Sequence, residues 1–139
     1  MRFVAMIALA GMLAAGGCAS TNDRVLDAGS ETQLQKRSYQ SRVFETTDKE
    51  KVLRATISTL QDLGFVIDRA DSMLGTVSGT KLDRNQIKIT VSVRPKGSDR
   101  MSVRANAQFN VTPVEDPKQY QDFFASLEKS LFLTAHAGE

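Results

Sequence analysis

Few side chains in this 139-residue chain are equipped for chemistry. It holds one cysteine, Cys18, and one histidine, His136. A single thiol cannot close an internal disulfide. Neither residue has a second Cys or His at metal-ligand spacing. His136 is followed by only three residues and reads as part of a frayed tail. The carboxylates Asp62, Asp68 and Asp71 are close in sequence and could hold a cation or share a proton. Their places at a helix end and in a turn make them local polar groups instead. No Gly-rich phosphate loop, nucleophile elbow or paired acid and base is visible. No catalytic residue, metal ligand or cofactor is therefore expected.

Cys18 is the residue whose surroundings point to a definite reaction. Met1-Arg2 is a short basic start, and Phe3 to Ala15 is an apolar run. Small residues follow at once, which is the layout of a secretory signal. Phe3 to Gly17 is too short for a comfortable membrane span, which needs about twenty residues. Ala15-Gly16-Gly17-Cys18 resembles the lipobox of bacterial lipoproteins, with Gly17 and Cys18 in place and Ala15 where Leu is usual. The resemblance implies cleavage before Cys18 and acylation of its thiol. Ala19, where Asp favours inner-membrane retention in enterobacterial lipoproteins, implies an outer-membrane, periplasm-facing location. Each buried methylene contributes about 0.8 kcal/mol, so several acyl chains anchor durably.

Removing residues 1–17 leaves 122, one domain's worth of chain. The leader carries only Arg2, so 17 basic and 16 acidic side chains remain. A balance of that kind gives no overall electrostatic footprint for nucleic acid, which is not expected as a partner. Residues 18–37 are polar, with isolated Val25, Leu26 and Leu34, and read as the lipidated Cys and a flexible tether. About nineteen residues of such a chain span about 25 Å on average.

Residues 38–134 read as one folded domain and 135–139 as the tail. Tyr39 to Glu45 predicts a first strand. Thr47 to Glu50 matches a capping box opening a helix, whose stripe Val52, Leu53, Thr56, Ile57, Leu60 and Leu63 has the 3.6-residue period. Gly64 supplies its stop. Phe65 to Asp68 and Leu74 to Lys81 predict two strands, the second weakened by Gly75 and Gly79. Ile87 to Arg94 and Met101 to Val111 alternate strictly and predict a hairpin around Pro95 to Asp99. Placing Arg94 opposite Arg100 pairs Val93 with Met101, Val91 with Val103 and Ile89 with Ala105, all on one face. Asp116 then caps a helix with Pro117 at its first position and Tyr120, Phe123, Phe124, Leu127 and Leu131 in its stripe.

The expected fold is α+β: a single antiparallel sheet covered on one face by two helices, in the order β-α-β-β-β-β-α. That order, with Leu60-Gln61-Asp62-Leu63-Gly64-Phe65, Val66-Ile67-Asp68-Arg69-Ala70-Asp71 and Gly75-Thr76-Val77, resembles the helix-grip, TBP-like domains of the BamC outer-membrane-assembly lipoproteins. It covers roughly residues 39–134, one such domain where BamC has two. Motifs common to an architecture do not carry a role with them; the anchor, the tether and a docking sheet face together lead us to expect a non-enzymatic accessory or scaffold subunit of an envelope complex, held to the membrane through lipid on Cys18 and binding envelope proteins. The candidate partner-binding face is the polar side of the hairpin: Lys88, Thr90, Ser92 and Arg94 against Arg104, Asn106 and Gln108. A free sheet edge is a second docking possibility. The alternative reading is a carrier of a lipid or small apolar ligand between helix and sheet, in room left by Gly75, Gly79, Ala105 and Ala107.

Overall fold

The computed structural model describes residues 33–136. The leader, Cys18 and the tether up to residue 32 lie outside the described residues, as does the end of the tail. Residues 33–40 form a helix, α1, where the sequence predicts the end of the tether and the start of a strand. Strand β1 is only Ser41–Phe44. The difference comes from contacts that local composition does not show. Tyr39 packs on Tyr120 as a tilted pair with ring centroids 5.4 Å apart, and Gln40 Nε2 donates to the Tyr120 hydroxyl at 3.3 Å. Lys36 pairs with Glu115, whose acceptor oxygen raises the lysine pKa. Tertiary packing of this kind supplies most of the stability of a short helix.

Helix α2, Lys49–Asp62, is capped by Asp48 rather than by the expected Thr47. The Asp48 carboxylate accepts the Lys51 N–H at 2.9 Å. The threonine side chain that takes part is Thr46, whose hydroxyl accepts from the Asp48 N–H at 3.2 Å. A charged oxygen at the positive helix end is favoured by the dipole as well as by the hydrogen bond. Val52, Leu53, Ala55, Thr56, Thr59 and Leu60 are buried along one face. Gly64, at φ 85°, ends the helix as predicted. Lys81 covers that end, its Nζ donating to the Leu63 carbonyl at 3.0 Å.

Strands β2 (Val66–Asp71) and β3 (Thr76–Asp83) are joined through residues 72–75. Asp71 accepts the Leu74 N–H at 2.8 Å and so fixes this turn. Gly75 belongs to the turn and not to the predicted strand, because its φ is 66°. A Cβ there would stand 2.4 Å from the Val93 carbonyl oxygen, so only glycine fits.

Strands β4 (Asn85–Lys96) and β5 (Arg100–Phe109) form the predicted hairpin in a different register. Lys96 lies opposite Arg100, Val93 opposite Val103, Val91 opposite Ala105 and Ile89 opposite Ala107. The pairing is displaced by two residues from the expected one, and the turn is Gly97 to Asp99, with Gly97 at φ 72°. Alternation fixes which face each residue takes, and a two-residue shift leaves that unchanged. Pro95 is accommodated inside the strand because β3 ends its pairing at Thr76 opposite Ser92. The backbone position of Pro95 on that side has no carbonyl waiting for an N–H.

After β5 the chain turns through Asn110, at φ 55°, into the two-residue strand β6, Thr112–Pro113. Helix α3, Pro117–His136, then runs two residues into the expected tail. Asp116 caps it as predicted, accepting the Lys118 N–H at 3.0 Å.

All pairings are antiparallel, in the order β1-β5-β4-β3-β2, with β6 also on β5. The fold is therefore α+β with one antiparallel sheet, and the predicted element order gains α1 in front and β6 before the last helix. Helices α2 and α3 pack on each other and on one side of the sheet. The core lies between: Val52 and Leu60 from α2, Val91, Val93, Val103 and Ala105 from the hairpin, Tyr120, Phe124 and Leu127 from α3. Arg42 closes its β1 side, its guanidinium 5.5 Å from the Phe124 ring centre.

The open sheet face as candidate functional site

Because α2 and α3 cover one face, every second residue of the central strands points away from the core. The structure brings all seven predicted face residues to that side. Lys88 pairs with Gln108, Thr90 with Asn106 and Ser92 with Arg104, while Arg94 pairs with Ser102. Lys88, Thr90, Arg94, Arg104, Asn106 and Gln108 are exposed, and Ser92 is half-buried between its neighbours. Strand β3 extends the surface with Thr80, Ser78 and Thr76, opposite Lys88, Thr90 and Ser92. Ser41 of β1 continues the row of Arg104.

An open trough of about 640 Å³ lies on this face. Arg37 of α1 stands at one side, Arg94 and Lys96 of β4 at the other, with Arg104 and Asn106 of β5 between and serines 41, 92 and 102 completing the floor. Sequence reasoning missed Arg37, which it placed in the tether, and Ser41 and Lys96. Lys96 carries a signal, since it continues the 88-90-92-94 alternation, but Pro95 beside it points to a turn. Arg37 carries none.

Charge is unevenly spread over this surface. The trough residues include no acid, and among the described residues Arg37, Arg94, Lys96 and Arg104 take part in no ion pair. The acids nearest the far edge are already engaged. Asp68 accepts the Thr80 hydroxyl at 2.6 Å, and Asp71 holds Leu74 and Arg69. Asp68 and Asp71 thus have separate structural duties, and Asp62 lies exposed at the end of α2. Among the described residues no group of three or more His, Cys, Asp or Glu is placed to hold a metal ion.

The edges offer less than the face. Strand β1 has four residues, and β2 carries a register irregularity between Ile67 and Arg69. A short strand and a bulged one are both poor templates for an added strand. Between helix and sheet the glycines predicted to leave room do not. Gly75 meets the Val93 carbonyl, Gly79 lies with its missing Cβ 3.0 Å from the Val66 carbonyl, and Ala105 is fully buried. Two small crevices remain among the described residues, one of about 230 Å³ beside Leu63, Phe65, Ile87, Ile89, Ala107 and Phe123 and one of about 270 Å³ between α2 and β2, beside Leu53, Ile57, Ala70 and Val77. Ligand pockets usually enclose about 300–1,000 Å³.

No protein-family model matches the chain, and no curated protein is significantly similar to it.

Proposed function

We propose that this chain is a non-enzymatic, periplasm-facing outer-membrane lipoprotein, acylated at Cys18 after removal of residues 1–17. It acts as an accessory or scaffold subunit of an envelope assembly or transport complex. The observation that carries the docking part of this reading is the open sheet face. It is broad, polar and cationic, and neither helix of the covering layer reaches it. A fold of this kind hosts many roles, so the argument rests on the face and not on the architecture.

Two experiments test it. Mass analysis of the mature N-terminal peptide from the wild type and from Cys18→Ser reads the anchor; an unmodified wild-type thiol removes it. Photo-crosslinking from Thr90 and Asn106 in living cells reads the face. Capture no greater than from Arg54, on the outer side of α2, leaves the face without a docking role.

The second reading, a carrier, has the crevice beside Phe123 in its favour. Native mass spectrometry of the protein separates the two: a co-purified small molecule supports the carrier, a bare mass the scaffold.

A further inference from the structure

The trough has a chemistry more specific than a generic docking face. Arg37, Arg94, Lys96 and Arg104 line it with no acid beside them in the trough and no ion pair of their own among the described residues. Like charges held together on one surface repel, and an anion relieves that repulsion. Guanidinium groups also bind carboxylates through two parallel hydrogen bonds, which gives direction as well as affinity.

Spacing narrows the class of anion. Ser92, Arg94 and Lys96 are alternate residues of one strand, so their side chains repeat at about 6.8 Å. Arg104 lies opposite Ser92 and therefore diagonal to Arg94, about 7–8 Å away between backbones. An extended peptide displays its own alternate side chains at the same interval of about 6.8 Å. The hydroxyls of Ser41, Ser92 and Ser102 and the amide of Asn106 lie between the cations and can meet peptide groups. The trough holds no aromatic ring on which a nucleic-acid base could stack. Its concave form also departs from the plane of a bilayer.

We propose that this trough binds an extended acidic segment of a partner protein, with Asp or Glu at alternate positions seated on Arg94, Lys96, Arg104 and Arg37. The proposal rests on the docking-face reading and gives that partner a chemistry.

The test uses the full chain in neutral detergent micelles and fluorescent peptides of about eight residues alternating Glu with Ser, or Lys with Ser. The acidic peptide binds, and its affinity falls steeply as salt rises from about 0.05 to 0.5 M. Arg94→Glu/Arg104→Glu weakens binding about tenfold or more, while Arg54→Glu leaves it unchanged. The neutral pair Arg94→Gln/Arg104→Gln gives a smaller loss in the same direction and serves if the reversed pair melts early. Equal binding of the basic peptide, or equal affinity in both trough variants, overturns the proposal. Capture of phosphatidylglycerol vesicles without peptide binding also overturns it and assigns the face to the membrane. Crosslinks from Thr90 and Asn106 with no peptide binding overturn the acidic chemistry and leave the docking reading standing. Peptide binding without crosslinks shows an anion-binding trough but removes the docking reading, and with it the partner protein proposed here.

Discussion

Tyr120 looks in the sequence like one more apolar position of a helix stripe, and its hydroxyl proves to be the part that organises its surroundings. It donates to the Val114 carbonyl at 2.8 Å and accepts from the Ala107 N–H at 3.1 Å and from Gln40. Those groups are buried, so losing the oxygen leaves donors and an acceptor without partners. Tyr120→Phe should therefore cost about 1–3 kcal/mol, read from urea unfolding of the full chain. Thr59 presents the opposite situation. It is 1% exposed, and its Oγ1 has no hydrogen-bond partner among the described residues, whereas the Thr56 hydroxyl reaches the Val52 carbonyl at 2.8 Å. Thr59→Val keeps the shape and removes the unpaired hydroxyl. It should stabilise by about 1 kcal/mol, a rise of about 4–8 °C in Tm. The helical period marked Leu60 and Leu127 as buried but could not tell which polar side chains would be satisfied, because the partners come from distant elements.

At the scale of elements, Asp71 shows how one side chain sets a turn. Its carboxyl lies below the ordinary value of 3.8, chiefly because the Leu74 N–H donates to it, with Arg69 adding to the effect and burial opposing it. A lowered folded-state pKa means that the stabilisation is complete above the unfolded value and is lost as pH falls through the folded one. The turn at residues 72–75 should loosen below about pH 4, seen as faster amide exchange at Leu74. In Asp71→Asn that acid step should vanish. The helix ends with local chemistry, such as Asp116 with Pro117 and Gly64, were legible in the sequence because their partners lie within a few residues. Alternation placed the seven face residues correctly but fixed only their side, so the hairpin pairing was read two residues away. Helix α1 and the trough's Arg37 were illegible: residues 33–40 owe their order to Tyr120 and Glu115, about eighty positions downstream.

The molecule as a whole is a two-layer structure in which a single core serves both helices and the sheet. Leu127 is fully buried in it. Leu127→Asp places a carboxylate where no partner waits, a cost comparable to the stability of a small domain. The variant should show no cooperative thermal transition, and an unchanged melt would contradict this packing. One face of the sheet is closed by apolar contacts and the other is left to solvent, so the core and the proposed docking face occupy opposite surfaces. Substitutions at Lys88, Arg94 or Arg104 can thus alter binding with little effect on the melt.

Strand β5 has one full-length neighbour, β4, and divides its other side between β1 at one end and β6 at the other. Between these two short ladders, Ala107 is held by the Val114 N–H and the Tyr120 hydroxyl. Traction arriving along the backbone from before residue 33 therefore meets α1 and a four-residue ladder before it meets the core. With four residue pairs against the ten that join β4 to β5, that ladder should part before the hairpin does, so a pull from this end would be absorbed by α1 and β1 while the hairpin and both long helices stay folded.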